Sequence, residues 1–238
     1  IVNVLYRTST ENISDRQIQA QIDVLNEDFN ATNADVSKTP SNFSKLVADI
    51  DVQFVLAGIN RKSSSKTSWG TNDAMKKSSQ GGINPTNPRE NLNIWVVNRI
   101  TSGGSTILGY AQFPGGSSST DGVVIGHNFF GRVGTVTAPF NKGRTGTHEV
   151  GHWMNLRHIW GDTYCGSDLV NDTPQHDTYN FGCPSSSHRS TCSGTPIEMT
   201  MNYMDYTDDA CMYMFSNGQK QRARSIFASG GSRASFGD

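Results

Sequence analysis

Residues 148 to 158 constrain this chain more than any other segment, because they read His-Glu-Val-Gly-His-Trp-Met-Asn-Leu-Arg-His. The run holds three of the six histidines and one of the five glutamates. Residues four apart share one face of a helix, so His148 and His152 can each present a ring nitrogen to one metal ion. Glu149 flanks the same point. The spacing predicts a metal-binding helix, and an amphipathic helix with incidental histidines is the weaker interpretation.

His158 determines what kind of site this helix can form. On an unbroken helix it would lie about 9 Å beyond His152 and off the shared face, so the chain must turn sharply before it. Asn155 lies where that turn must occur, and Asn adopts the left-handed backbone conformation more readily than most residues with a β-carbon. The sequence therefore predicts a chain reversal at Asn155 and a metal site with three histidine ligands.

A zinc ion held by three neutral imidazoles keeps one position open for water, which is typical of a catalytic site. Zinc lowers the pKa of bound water from near 16 toward about 7, and Glu149 can accept the proton as that water attacks a carbonyl carbon. A structural zinc site would not need this glutamate. We expect the zinc ligands to be His148, His152 and His158. We expect the remaining histidines to be surface or packing residues: His127, His176 and His188.

Length and composition exclude several other classes of function. A chain of 238 residues with 34% hydrophobic content can bury a full core and form one two-lobed domain. Its net charge of −1 and the absence of a dense Lys/Arg block argue against nucleic acid or an anionic membrane as partner. No apolar stretch approaches the roughly 20 residues needed to cross a bilayer.

The first residues and the cysteines indicate where in or outside the cell the protein is located. The chain starts with a strand-like segment, without an initiator Met or a signal peptide, so we expect a mature form from which a signal and a prosegment have been removed. Because the histidines supply a metal site and no Cys-x-x-Cys pair occurs, two disulfides are favoured over a thiolate zinc site or four reduced cysteines in a cytosolic protein. This indicates an oxidising, extracellular compartment. The spacing leaves three pairings open among the four cysteines, Cys165, Cys183, Cys192 and Cys211.

Hydrophobic periodicity predicts a βαβ unit at the start of the chain. Val2 to Tyr6 and Asp51 to Ile59 have the pattern of strands, and Asp15 to Phe29 has apolar residues at a helical period. Further strands are predicted at Leu92 to Ile100 and Gly122 to Ile125. A short strand over Ile107 to Phe113, flanked by Gly-rich and Ser-rich loops, is typical of a sheet edge that an extended peptide could join.

Regular structure is predicted to be scarce after the metal-binding helix. That helix is expected to have Thr145 as its N-cap and to end near Asn155. A final helix is predicted from about Ser216 to Ala228, with Gly230-Gly231 ending it.

The run from His148 to His158 resembles the extended zinc signature of the metzincin metallopeptidases, and Asn202 to Tyr206, Asn-Tyr-Met-Asp-Tyr, resembles their Met-turn. The Val-Gly between the first two histidines, the Trp after the second and the cysteine-rich segment before the Met-turn resemble the pappalysin family. In that family Asn occurs at the position of Asn155. The resemblance covers roughly residues 140 to 220.

This resemblance implies a role for each matching position. Met204 would form a hydrophobic floor beneath the metal, and Tyr206 would approach the zinc and stabilise the oxyanion. The predicted edge strand would bind substrate in extended form through Gly109, Tyr110 and Ala111. Pappalysin-like disulfides would join Cys165 with Cys192 and Cys183 with Cys211.

The resemblance also implies a specificity pocket and a second metal. Asp209 would lie at the base of the pocket that receives the side chain just after the cleaved bond, where a carboxylate favours Arg or Lys. A solvated or turn-stabilising Asp is the weaker alternative at this position. Family members bind calcium between the zinc motif and the Met-turn, and this loop offers four residues with hard oxygen ligands: Asp168, Asn171, Asp172 and Thr173.

Together these observations predict an α+β, two-lobed, metzincin-like domain over residues 1–238. Its upper lobe (residues 1–155) would hold a mixed, twisted five-stranded sheet and two long helices, including the active-site helix. Its lower lobe (residues 156–238) would be irregular, stapled by disulfides and closed by the final helix. The predicted function is a secreted, monomeric zinc endopeptidase that acts on protein or peptide substrates.

Two alternatives differ in the residues they require. A peptidase with a carboxylate as third zinc ligand needs a glutamate about 20 residues beyond the motif, and none occurs before Glu198. A non-catalytic zinc- and calcium-dependent binding or adhesion module would not require Glu149 or Tyr206.

Overall fold

The computed structural model describes residues 1–236. Within them lie three α-helices, namely α1 (Asp15–Phe29), α2 (Arg144–Trp153) and α3 (Asn217–Ser225). The strands are β1 (Val2–Tyr6), β2 (Ile59–Ser63), β3 (Ile94–Val97), β4 (Ile100–Ser102), β5 (Ser105–Ile107), β6 (Gly109–Ala111) and β7 (Val123–Gly126). No helix among these residues is long and apolar enough to span a bilayer.

Five of the strands form one mixed sheet in the order β2-β1-β3-β7-β6. The first four run parallel, and β6 pairs antiparallel with β7 at the edge. This confirms the predicted mixed five-stranded sheet with a short edge strand. Strands β4 and β5 form a separate antiparallel hairpin next to that edge.

Both faces of the sheet are covered, which explains the continuous apolar runs in its central strands. Alternate residues of β3 enter different cores, with Ile94 and Val96 on one face and Trp95 and Val97 on the other. The first core also contains residues of α1 and α2 and a group from the predicted lower lobe, including Met204. Residues of both predicted lobes therefore share one hydrophobic cluster.

Helix α1 has the predicted bounds because its start and its buried face are both encoded locally. The Ser14 side chain accepts a hydrogen bond from the Gln17 amide at 3.2 Å, as expected of an N-cap. Ile18, Leu25 and Phe29 are fully buried beneath the sheet. The helix links the parallel strands β1 and β2, as the predicted βαβ unit requires.

The prediction of a strand over Asp51 to Ile59 is wrong, since β2 begins only at Ile59. The segment before it packs alternate apolar side chains, including Phe54, against the first core without joining the sheet. Side chains of α1 and of its C-cap residue, Asn30, take the place of a neighbouring strand. Asn26 exchanges two hydrogen bonds with the backbone of Phe54 at 2.8 and 2.9 Å, and Asn30 donates to the Val52 carbonyl at 3.0 Å.

Two further predicted strands are shorter than expected. The stretch Leu92 to Ile100 is interrupted after Val97, where the Asn98 side chain accepts the Arg99 amide at 2.8 Å. The chain then enters the β4–β5 hairpin, in which Ile107 pairs with Ile100. The edge strand is therefore limited to Gly109–Ala111 instead of Ile107 to Phe113.

The N-cap predicted for the metal-binding helix is wrong. Helix α2 begins at Arg144, after Gly143 in the left-handed conformation with φ 81°. The cap comes from the far end of the chain, because Oδ2 of Asp209 accepts the amides of Lys142 and Arg144 at 2.7 and 3.2 Å. A carboxylate at a helix N-terminus also interacts favourably with the helix dipole. With ten residues, α2 is shorter than the long helix predicted.

From residue 156 to the start of α3 the chain is mostly irregular, as predicted. The structure joins Cys165 with Cys192 and Cys183 with Cys211, the pairing that the resemblance implied. Helix α3 starts with a capping box between Ser216 and Gln219 and ends at Ser225, three residues before the predicted end.

Candidate active site

The three histidines of the motif meet at one point. Nε2 of His152 lies 3.1 Å from Nε2 of His148 and 3.0 Å from Nε2 of His158. Nitrogens bound to one zinc ion at about 2.1 Å in tetrahedral geometry are about 3.4 Å apart, so these spacings are close to those of a three-histidine site. Within residues 1–236 the other group with metal-ligand spacing is Cys165, Asp177 and Cys192. Its two sulfurs form a disulfide.

Hydrogen bonds at the opposite ring nitrogens orient all three imidazoles. Nδ1 of His148 donates to the Tyr203 carbonyl at 2.7 Å, and Nδ1 of His152 donates to the Leu156 carbonyl at 2.7 Å. Nδ1 of His158 lies 2.5 Å from Oδ1 of Asp162. Each proton is thereby placed on Nδ1, which leaves a lone pair on every Nε2. The donor set fits a zinc ion.

Burial favours the neutral form that metal binding requires. Desolvation, reinforced by the neighbouring imidazoles, holds the pKa of His148 well below its usual value and lowers the pKa of His152 to about 3. Desolvation also lowers the pKa of His158, although Asp162 opposes that shift. The three imidazoles are therefore neutral near pH 7, and each keeps one proton on Nδ1.

The chain reverses at Asn155, as the spacing predicted. Asn155 adopts φ 71°, its amide bonds the His152 carbonyl, and the Leu156 amide bonds the Gly151 carbonyl, both at 2.9 Å. These two bonds form a Schellman motif. Arg222 of α3 braces the turn, because its Nε donates to the Asn155 carbonyl at 2.6 Å.

Glu149 lies between the helix and the edge strand. Its side chain packs so closely on β6 that a β-carbon at Gly109 would lie 3.0 Å from its Cγ and 3.2 Å from its Oε1. It lines the same pocket as His148 and Tyr206. Burial raises the pKa of Glu149 to about 8.

Aromatic rings pack against His148 and His158. The Trp160 indole stacks on His158, with ring centroids 4.2 Å apart and planes 8° from parallel. The Tyr206 ring lies 4.9 Å from His158 and 5.6 Å from His148, and it makes a T-shaped pair with Trp160 at 4.7 Å. Burial and nearby carboxylates, Glu149 first among them, raise the pKa of Tyr206 to about 12, so its phenol stays protonated.

Met204 is completely buried against the metal-binding helix. Its sulfur faces Gly151, and its carbonyl accepts the Ile159 amide at 3.1 Å, which ties the residues after the turn to the Met-turn. Asn202 shapes this turn by accepting the Met204 amide at 3.0 Å through its side chain.

A family model described as pregnancy-associated plasma protein-A, of peptidase family M43, matches residues 83–228, more than half of the chain. The chain belongs to the pappalysin family. It is therefore a zinc metalloendopeptidase, and its fold is that of a metzincin.

Solved structures agree with this assignment. Mirolysin in complex with compound 9 is 47% identical to this pappalysin, with a TM-score of 0.94 over 99% of this chain and 93% of that chain. Mature mirolysin of Tannerella forsythia in complex with a cleaved peptide is 45% identical, with a TM-score of 0.93 and the same coverage.

Fungal relatives also share most of the chain. The extracellular metalloprotease of Arthroderma benhamiae is 32% identical over 93% of this chain and 73% of that protein. The extracellular metalloprotease of Pyricularia oryzae is 34% identical over 91% of this chain and 68% of that protein.

In this pappalysin a pocket of about 460 Å³ opens beside Glu149 and Tyr206. Asp209 lies in its wall and is almost fully buried. Desolvation raises the pKa of Asp209 to about 6. Two hydrogen bonds from backbone amides and the charge of Arg144 act in the other direction and lower this pKa. The remaining walls are largely apolar, with Ile107, Leu108, Phe140, Phe181 and Met212 among them.

The predicted calcium ligands do not all point to one place. Thr173 donates to the Asp168 carboxylate at 2.9 Å, so these two side chains are together. Asp172 accepts the Ser216 hydroxyl at 2.6 Å and the Gly218 amide at 2.8 Å instead, and so caps α3. Asn171 is exposed.

The other histidines and Glu198 lie outside the zinc site. His127 is half-buried beside Thr135, and His188 is largely exposed. His176 is fully buried, with its Nδ1 3.5 Å from both Glu198 and Asp205. Glu198 therefore belongs to a buried polar cluster and is not a zinc ligand.

The sequence interpretation missed two residues that shape the site. Asp162 orients His158, and its position four residues after that histidine was a usable signal. Trp160 stacks on the same ring, but the turn that brings it there cannot be recognised from residue spacing.

Proposed function

We propose that this pappalysin is a secreted endopeptidase in which Glu149 acts as general base and that it prefers Arg or Lys just after the cleaved bond. The single observation that carries the proposal is the juxtaposition of three convergent histidine nitrogens with a buried carboxylate in one cleft beside an edge strand. Such a cleft combines metal, base and substrate-binding backbone in one place.

Glu149 would move the proton in this reaction. Zinc, when bound, lowers the pKa of a coordinated water and polarises the scissile carbonyl. Glu149 lines the same pocket as His148 and Tyr206, and its ionised carboxylate can accept a proton from the attacking water and return it to the departing amine. Its contact with Gly109 leaves the side chain little freedom to move away.

Tyr206 would stabilise the negative charge on the carbonyl oxygen. Its phenol remains protonated at neutral pH and can donate a hydrogen bond. The rings of Trp160 and His158 limit the positions that the tyrosine can take.

The edge strand β6 would hold the peptide in extended form. In the described residues it pairs only with β7, and Gly109, Tyr110 and Ala111 are only partly buried. An added strand on this edge would run directly above Glu149, because Gly109 contacts that side chain.

Charge in the pocket supports a basic residue after the cleaved bond. Asp28 and Asp35 form salt bridges with the guanidinium of Arg144, and this guanidinium donates to the backbone carbonyl of Asp209, not to its carboxylate. In residues 1–236, Oδ1 of Asp209 makes no hydrogen bond, while Oδ2 accepts both amides at the start of α2. This region therefore carries an excess of negative charge, which would attract Arg or Lys.

The two disulfides and the names of the fungal relatives support secretion. We further propose a single catalytic domain that is monomeric, which size-exclusion chromatography would test. Asp168, Asn171 and Thr173 remain our candidates for a calcium site, with Asp172 in a capping role. Calorimetric titration with calcium of the zinc-loaded protein and of Asp168→Ala would test that site.

The central experiment compares the zinc-loaded protein with Glu149→Gln, which keeps the side-chain shape and removes the base. Both are incubated with an unstructured protein substrate, with and without a zinc chelator, and the new N-termini are sequenced. We expect cleavage by the parent protein alone, only without chelator. Cleavage by both forms, or by neither, contradicts the mechanism. New N-termini without Arg or Lys contradict the role of Asp209 and leave the zinc chemistry intact.

A further inference from the structure

Two large aromatic side chains project into solvent beside the cleft. Phe181 is 68% exposed and Tyr179 is 44% exposed. Their rings lie against each other with centroids 4.9 Å apart, and we call this pair the aromatic ledge. Large apolar groups gathered in this way on a surface are typical of a binding site.

The aromatic ledge is continuous with the catalytic centre. The Phe181 ring is nearly parallel to the Tyr206 ring at 6.2 Å, and the Tyr179 ring lies 5.6 Å from the rings of both Tyr206 and Trp160. Phe181 also lines the pocket that contains Asp209. A peptide in the cleft would therefore contact the ledge and the pocket together.

Asn180, between the two aromatic residues, anchors the ledge to the protein interior. Its amide donates to Oδ1 of Asp205 at 2.8 Å, and its side-chain nitrogen donates to Asp205 and Glu198 at 2.9 and 2.7 Å. Both carboxylates are fully or almost fully buried. The Asp205 carboxylate also accepts the Tyr206 amide at 2.8 Å, so one side chain orients the ledge and the tyrosine alike.

Such anchoring lowers the entropy cost of binding, because the rings are held in place before a ligand arrives. We propose that Tyr179 and Phe181 form a second substrate subsite, which takes an apolar side chain of the peptide. The inference rests on the proposed function, because it assigns the ledge to the same substrate. Alternate side chains of an extended peptide share one face. The apolar residue therefore lies two positions before or two positions after the basic residue in the Asp209 pocket.

The test uses short peptides with Arg just after the cleaved bond and Gly at both candidate positions as reference. In the other peptides one candidate position carries Leu, Phe, Ser or Asp. We expect Leu or Phe at one position to raise kcat/KM of the parent enzyme about tenfold over the reference, as contact with one apolar side chain allows. In Phe181→Ser the ratio of kcat/KM for the Leu or Phe peptide to kcat/KM for the reference peptide falls to about one. Tyr164→Ser is the matched control, because Tyr164 is a 71% exposed aromatic outside the ledge, and it keeps the parental ratio.

A flat profile in the parent enzyme, or a preference that survives in Phe181→Ser, overturns the subsite. If the parent enzyme does not cleave the Arg reference peptide, the proposed function fails instead. A second copy of the chain could cover the aromatic ledge instead of the substrate. Sedimentation of the parent enzyme and of Phe181→Ser tests this alternative. A dimer that Phe181→Ser dissociates would assign the ledge to self-association and also overturn the subsite.

Discussion

The sulfur of Met204 lies against the backbone of Gly151, between the first two zinc-ligand histidines. A β-carbon at Gly151 would come within 2.6 Å of this sulfur. The Met-turn and the metal-binding helix therefore approach as closely as the absence of a side chain allows. The same contact sets how far the Met-turn lies beneath His148 and His152.

Gly151→Ala should destabilise the protein and weaken zinc binding. Ala in a helix interior normally stabilises by about 1 kcal/mol relative to Gly, but the overlap with Met204 should cost about 1–3 kcal/mol. Chemical denaturation and chelator competition measure the two effects. Gly70→Ala is the control, because its β-carbon would meet nothing nearer than 3.7 Å. An increase in stability of Gly151→Ala with unchanged zinc affinity would show that the contact does not constrain the site.

Asp162→Ala should lower zinc affinity by about 10- to 100-fold, because Asp162 orients His158 and increases the basicity of its Nε2. The side chain is 61% exposed, so the fold should remain intact. Competition with a fluorescent chelator measures the affinity. Asp23→Ala, an exposed change on α1 remote from the site, should have no effect. Equal affinities in parent and Asp162→Ala would exclude the orienting role.

The preference for Arg should depend on pH through Asp209. Burial raises the pKa of Asp209 to about 6, so the carboxylate is charged above pH 6 and neutral below it. The measurement is the ratio of kcat/KM for an Arg peptide to that for a norleucine peptide, because titration of the zinc site affects both peptides equally. This ratio should fall as the pH is lowered through about 6.

Asp209→Asn keeps an acceptor for the amides of Lys142 and Arg144 but removes the charge. In this variant the ratio of kcat/KM for the Arg peptide to that for the norleucine peptide should be at least about tenfold lower than in the parent enzyme at neutral pH. The ratio should not change with pH. A parental ratio that stays constant from pH 5 to 8, or a pH-dependent ratio in Asp209→Asn, would assign the preference to another group.

Local sequence patterns predicted several features of this molecule correctly, because neighbouring residues alone determine the geometry of those features. The helical spacing of His148 and His152 and the left-handed turn at Asn155 depend on a few neighbouring residues. The same holds for α1, whose cap and buried face lie within one segment. The strand predicted before β2 is wrong because its structure depends on residues distant in the chain. Alternating apolar residues indicate that every second side chain is buried, but they do not show what pairs with the backbone. In the segment before β2, the side chains of Asn26 and Asn30 form hydrogen bonds with the backbone in place of a neighbouring strand.

The metal-binding motif, the turn after it and the order of most strands and helices could be predicted from the residues alone, since each depends on interactions between residues close in the chain. What surrounds that motif depends on how distant segments pack together. Asp209 caps α2 from 65 residues away, Met204 meets Gly151 beneath the helix, and Asn180 anchors the aromatic ledge to Asp205. Contacts between distant residues follow from how the whole core packs, which no local pattern of residues encodes.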